Sequence, residues 1–333
     1  MMGLRISPYA AVALAAVLAG CATHSQPALS LVEGKGGAGV PAATNTSLAR
    51  FAHVGSWMSH DTSSGGDLIY MAQSQEVGIY SFAGKQVGSL NGFEEGVEGV
   101  CSDTQGNVWV TYGASLLEYA RGGTVPIAQL YTDEGAVSCA TDPKTGDIAV
   151  TEGSFGSGNE LAVYTSVYGT GQTYKVYGMN AYLYCTYDNT GNLFVNGARN
   201  LRQGSVLAEL PSGGSTLSTV KLDEKFERAG GLEWDGQYLA IGDSLRHVIY
   251  QMSVTKDQAT TVSTSHFHDW SGMRQKTIEP FAIDNGQIVL TFNDRQTGFW
   301  KFPAGGKTVR RISVVTGAKT VSVAPSSLRR GEK

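Results

Sequence analysis

Between Glu95 and Gly123 the chain reads EGVEGVCSDTQGNVWVTYGASLLEYARGG. A short apolar run (Gly99 to Cys101) leads into a turn, Asp103-Thr-Gln-Gly-Asn107, and then into a strand from Val108 to Tyr112. A second strand, Leu116 to Ala120, ends at a Gly-Gly turn. Gln-Gly-Asn supplies residues that accept positive φ, which a tight hairpin needs. Strands of about five residues are ordinary members of a sheet.

The unit recurs. The second residue of each Gly-Asn-like turn is Asp67, Asn107, Asp147, Asn192, Gln237 and Gln287, at intervals of 40, 40, 45, 45 and 50. A glycine precedes each: Gly66, Gly106, Gly146, Gly191, Gly236 and Gly286. An apolar run follows each: LIYMA, VWVTY, IAVTE, LFVNG, YLAIG and IVLTF. Five of the turns are led by Asp103, Asp142, Asp188, Asp235 and Asp284. A period of this size marks a repeat architecture. The segments are strand-like, with no helical periodicity between them. Four short antiparallel strands per 40–50 residues make one blade of a propeller. One blade cannot bury both faces of its sheet, so neighbours must cover each other.

The expectation is therefore an all-β, six-bladed propeller of four-stranded antiparallel blades spanning residues 51–326, followed by a tail at 327–333. The C-terminal stretch Thr320-Val-Ser-Val-Ala-Pro325 resembles the inner strands elsewhere and is expected to complete the first blade. The stretch around Trp57 is the competing candidate. Either closure would remove an exposed sheet edge. With 43 glycines in 333 residues the chain is turn-rich, and a formal charge of −4 with no basic block argues against nucleic acid.

The N-terminus carries separate signals. Arg5 is followed by an apolar run from Tyr9 to Ala19, too short to span a bilayer, and residues 1–20 read as a secretion signal. Leu18-Ala-Gly-Cys21 resembles the lipobox of bacterial lipoproteins. The resemblance implies cleavage before Cys21 and its lipidation, giving a membrane anchor in the bacterial cell envelope. Ala22 in place of Asp mildly favours the periplasmic face of the outer membrane or the cell surface. Residues 21–50 lack an aliphatic pattern and read as a flexible tether.

Three further cysteines, Cys101, Cys139 and Cys185, fall on inner strands of successive blades. An oxidising compartment permits one bridge among them. Adjacent inner strands are expected to lie too far apart for it. The favoured reading is small apolar packing between blades.

Loops entering the inner strands of a propeller open at one end of its channel. Alignment on the turn Asp places Glu98, Tyr182 and Glu279 there, with Glu95, Asn180, Arg228 and Glu233 nearby. Carboxylates and an amide around a mouth suit a divalent cation held by oxygen; a solvated polar rim is the alternative. A second candidate is His266-Phe-His268-Asp269, in the connection between the fifth and sixth blades, where His beside Asp suits a base or a ligand pair. Isolated surface histidines are its bland alternative. The aromatic run from Thr173 to Tyr187 and the pair Phe299-Trp300 are read as filling between blades, or as a stacking surface. No nucleophile elbow and no phosphate-cradling loop is present in the sequence.

The pattern apolar-x-x-Asp-x-x-Gly-Asn-apolar-apolar-Val resembles NHL-type and gluconolactonase-like (senescence marker protein) six-bladed propellers over nearly the whole mature chain. That resemblance implies a Ca²⁺ or Zn²⁺ held at the channel by Glu, two Asn and Asp, with Glu98 matching the Glu and Asn180 one Asn. The second Asn and the catalytic Asp find no position. Two functions follow as expectations: a lipid-anchored module binding a protein, glycan or small ligand without catalysis, or a metal-dependent lactonase or lyase-like periplasmic enzyme.

Overall fold

The structure is a computed structural model. It describes residues 55–59, 66–154, 157–200, 203–268, 278, 280–292, 296–313 and 320–324. Contacts divide the chain into Met1–Val40 and Pro41–Lys333, and every described residue belongs to the second unit. The signal segment, Cys21, the tether, Asp269, Glu279 and the tail lie outside the described residues.

Strands follow one another as antiparallel meanders. The first holds β1 (Trp57–Met58), β2 (Leu68–Ala72), β3 (Val77–Ser81) and β4 (Gln86–Leu90). The next is β5 (Val97–Ser102), β6 (Val108–Tyr112), β7 (Ser115–Tyr119) and β8 (Pro126–Tyr131). Then come β9 (Ala136–Thr141), β10 (Ile148–Ser154), β11 (Ser157–Tyr164) and β12 (Gln172–Tyr174). They are followed by β13 (Ala181–Tyr187), β14 (Leu193–Asn200), β15 (Gln203–Leu210) and β16 (Ser218–Leu222). After these stand β17 (Ala229–Trp234), β18 (Leu239–Asp243), β19 (Val248–Thr255) and β20 (Gln258–His266). The last are β21 (Phe281–Asp284), β22 (Gln287–Phe292), β23 (Gln296–Lys301) and β24 (Gly305–Ser313), and then β25 (Thr320–Ala324).

β25 pairs antiparallel with β2, from Leu68 opposite Ala324 to Ala72 opposite Thr320. The C-terminal strand thus supplies the inner edge of the first sheet, whose order is β1-β4-β3-β2-β25. The Trp57 segment instead adds to the opposite edge, pairing with β4. The first and last described strands share one sheet, with β25 on its inner edge as expected from the apolar alternation of the 320–325 stretch.

The turn chemistry accounts for the repeat. Asp103 Oδ1 accepts the backbone N–H groups of Gln105 and Asn107, both at 2.8 Å, and Oδ2 accepts Asn107 Nδ2 at 3.0 Å. Asp188 does the same for Thr190 (2.7 Å) and Asn192 (3.0 Å, with Nδ2 at 2.8 Å). The aspartate closes the turn over its own backbone, and Gly106 and Gly191, at φ 84° and 85°, occupy the region that side chains avoid.

Packing follows a period of two. On β6, Val108 and Val110 join the core shared with the first meander, while Trp109 points the other way into the core shared with β10 and β11. On β14, Leu193 and Val195 face β10 while Phe194 faces β18. On β22, Ile288 and Leu290 face β18 and β19, while Val289 joins Ile69 and Met71 of β2. Successive side chains of a strand point to opposite faces, so both faces are buried and the strands read as continuous apolar runs. The cores connect each meander to the next and the last back to the first. Phe299 and Trp300 fill two of these interfaces from opposite faces of β23, in agreement with their reading as inter-blade filling.

Hydrogen bonding departs from a set of separate blades at one place. β16 and β20 pair in parallel, Lys221 opposite Gln258 and Leu222 opposite Ala259, so two meanders merge into one eight-stranded sheet. Asp223 reinforces the join by accepting Thr261 N at 2.8 Å and Thr261 Oγ1 at 2.9 Å.

The cysteine expectation is corrected. Cys101 on β5 and Cys139 on β9 form a disulfide with Cα atoms 5.7 Å apart, inside the range a bridge requires. The innermost strands converge on an axis, which brings neighbours closer than the outer strands. Close approach also shows at Gly99, where a Cβ would stand 2.7 Å from the Val137 carbonyl oxygen. Cys185 on β13 is the free cysteine among the described residues, and burial pushes its thiol up to about 12.

Candidate functional site

The innermost strands β5, β9, β13, β17, β21 and β25 neighbour one another in a closed cycle. Side chains tie the wall across meanders. Thr141 Oγ1 donates to Ser102 O at 2.9 Å, Ser102 and Ser322 share a hydrogen bond at 2.8 Å, and Asn196 Nδ2 donates to Gly230 O at 2.9 Å.

This wall encloses a cavity of about 800 Å³ to which all six innermost strands contribute. It extends from the middle of those strands to the hairpin turns that follow them, reaching Gln105, Pro143 and Asn189. The lining is mixed. Val100, Tyr187, Trp234, Phe281, Ile283 and Val321 give apolar and aromatic surface; Ser102, Ser138, Thr141, Thr186 and Ser322 give hydroxyls. Among the described residues its ionisable carboxyls are Asp103, Glu233 and Asp284, and no Lys, Arg or His of the described residues lines it.

The three carboxyls differ. Asp103 is committed to its turn. Asp284 lies beside the two-residue turn Asn285-Gly286 and pairs directly with Gln287 across it. The tighter turn leaves no backbone loop for this carboxylate to close; it accepts Asn285 Nδ2 at 3.1 Å. Glu233 is half-buried on β17 and makes no hydrogen bond or ion pair among the described residues. Loss of water around it, and then the charge of Asp284, push its carboxyl up to about 8. Glu233 therefore carries its proton through most of the neutral range.

The residues anticipated at the other end of the strands are distributed differently. Glu98 and Arg228 are exposed at the starts of β5 and β17. Asn180 is exposed just before β13 and donates its Nδ2 to Arg199 O at 2.5 Å. Tyr182 is buried, and its hydroxyl accepts the Val176 N–H at 2.7 Å. None of the four lines the cavity. Glu98 and Asn180 belong to strands separated by β9, and the described residues contain no group of three His, Cys, Asp or Glu side chains suited to a metal ion.

His266 is not in a free connection: it ends β20, opposite Val248. His268 is exposed, and its backbone N–H donates to Gly306 O at 2.8 Å. Between them Phe267 is buried against Trp300, edge to face at 5.6 Å. The alternation that suggested a ligand pair is thus that of a strand edge with one residue in the core.

No family model matches the chain, and no curated protein matches it in sequence. Solved structures do match in fold. A chain of the nidogen–laminin complex superposes with a TM-score of 0.63 at 13% identity, covering 78% of this chain and 98% of its own. A Bacteroides caccae protein of unknown function gives 0.55 at 13% identity over 79% of this chain and 100% of its own. The Myceliophteria thermophila Cps50 (Swd1) β-propeller domain gives 0.53 at 10% identity over 80% and 88%. The fold is that of a β-propeller. At these identities the likeness shows architecture alone, and the propeller's chemistry has to be argued from its own cavity.

Proposed function

We propose that the chain is a lipid-anchored, six-bladed β-propeller of the bacterial cell envelope that serves as a binding module for a protein, glycan or small ligand. The observation that carries this reading is the axial cavity: about 800 Å³, walled by every innermost strand, with hydroxyls, aromatic rings and an unpartnered carboxyl in its lining. Cavities of this size and mixed character suit a small ligand or the tip of a larger one. The Cys101–Cys139 bridge fits an oxidising compartment, and Leu18-Ala-Gly-Cys21 supports the lipid anchor.

The experiment is metal analysis and lactone turnover on the purified mature chain. The binding reading expects no turnover and no tightly held Ca²⁺ or Zn²⁺. One such ion per chain, lost together with lactone hydrolysis in Glu98→Ala, would overturn it in favour of a metal-dependent lactonase. Mass spectrometry of the chain recovered from membranes checks the anchor; an unmodified Cys21 would remove it.

A further inference from the structure

Resting on the binding reading, we infer that the axial cavity takes a neutral sugar of one or two pyranose rings, stacked on the aromatic half of the wall and hydrogen-bonded to the hydroxyl half.

The wall is backbone as much as side chain. β5, β9, β13, β17, β21 and β25 each stand at the end of a sheet. Such an edge carries a row of N–H and C=O groups with no strand beside it. Consecutive residues line the cavity at 99–103, 138–141, 185–187 and 321–323. Successive side chains of a strand point to opposite faces, so a run of sequence neighbours reaching one space presents its edge there. Donors and acceptors are therefore interleaved around the wall. Some are bonded across it, as Ser102 O is by Thr141.

A ligand suited to such a wall must donate and accept at each polar point. An ammonium answers only acceptors and a carboxylate only donors, whereas a hydroxyl does both. The side chains then choose among hydroxylated ligands. Round the axis the strands run β25, β5, β9, β13, β17, β21. Tyr187, Trp234 and Phe281 place rings on the successive strands β13, β17 and β21. Ser322, Ser102, Ser138 and Thr141 place hydroxyls on β25, β5 and β9, across the channel. A pyranose has the same two sides: an apolar C–H face for an aromatic ring, and an edge of hydroxyls. An open-chain polyol lacks the flat face. The cavity, about 800 Å³, is of a size that encloses drug-sized ligands and so holds two rings. It runs out to the exposed Thr104, Gln105 and Asn189, which sets the entrance at the hairpin turns. A free sugar and the last sugar of a glycan offer the same chemistry.

The test is titration calorimetry of the mature chain with glucose, N-acetylglucosamine, maltose and maltohexaose. Sorbitol is the open-chain control; cyclohexanol and phenethylammonium chloride are the alternative ligands. Expected is saturable binding of at least one of the four sugars, stronger than that of sorbitol and unchanged in high salt, since no charge is matched. Binding of maltohexaose as well as maltose assigns a glycan end, and binding of the smaller sugars alone assigns a free sugar; either supports the inference. Trp234→Ala should lose about tenfold in affinity. Trp234 also packs against the core between the fourth and fifth meanders, so Trp234→Phe, with a smaller loss, and Ser322→Ala, on the opposite half, accompany it. Thermal unfolding establishes which variants fold. No sugar binding, sorbitol binding as well as glucose, or unchanged affinity in every folded variant overturns the inference. Cyclohexanol or the ammonium binding in place of sugars overturns it while leaving the binding reading in place. Hydrolysis of gluconolactone with a held metal ion overturns both.

Discussion

At the scale of single residues, two aspartates at equivalent repeat positions do different work. Asp188 gathers backbone N–H groups over a turn that is long enough to loop back on it. Asp284 faces a turn only two residues long, and its carboxylate is left beside Glu233. The consequence for Glu233 can be measured. Its folded-state affinity for a proton is raised well above that of an exposed glutamate, which titrates at about 4.3. The stabilisation from holding that proton is complete only below the unfolded value of about 4.3, falls as the pH rises from there, and is gone once the pH passes about 8. Glu233→Gln, neutral at every pH, should match the wild type below about pH 4.3 and exceed it in thermal stability by a margin that grows up to about pH 8. A parallel pH dependence in both proteins would show that the carboxyl is not so held. The repeat positions of Asp103 and Asp188 were legible in the sequence because turn chemistry is local. The influence of Asp284 on Glu233 is not legible there: the sequence sets Glu233 near an inner-strand entry and Asp284 among the turn aspartates, and only the closing of the ring brings β17 and β21 together.

At the scale of elements, the inner strands carry most of the consequences. β25 was legible because Thr320 to Ala324 repeats the alternation of the other inner strands, and it is the strand that lies against β2. Ending the chain after Ser313 would strip the inner edge from β2, leaving its backbone groups unpaired in a cavity wall. Such an edge invites pairing with another chain, so the truncated protein should elute as oligomer or aggregate in size-exclusion chromatography. A stable monomer would mean that β25 contributes little to closure. The disulfide between β5 and β9 closes a loop with a sequence separation of 38. Replacing Cys101 and Cys139 by serine should lower unfolding free energy by about 2–4 kcal/mol in urea titration. No change would show the bridge to be absent in solution. Its pairing escaped the sequence because strand separation near an axis is a property of closure, which three isolated cysteines do not reveal. Glu98, Asn180, Tyr182 and Arg228 stand at or just before the starts of β5, β13 and β17, with Tyr182 buried. Their spacing in sequence says nothing of the direction in which the cavity opens, and the cavity lies toward the following hairpins.

At the scale of the molecule, each meander is covered on both faces by its neighbours, so no blade holds a private core. Stability should therefore be shared. Leu117 belongs to the core between the first two meanders and Leu290 to the core between the last two. Truncating either to alanine removes buried methyl groups at about 2–5 kcal/mol. Each variant should unfold in a single transition seen alike by tryptophan fluorescence and circular dichroism, and the double variant should lose close to the sum of the two. Two separated transitions would indicate that part of the ring unfolds by itself.

The parallel join at Lys221–Gln258 leads to one more property. It straddles the connection from Asp223 to Arg228, so the halves of the polypeptide on either side of that connection are stitched together at the rim as well as through their common core. Because β25 also reaches back across the sequence to β2, a scission in that connection would sever the covalent chain while both resulting pieces stayed interleaved. The molecule is built so that its continuity in space does not depend on its continuity in bonds.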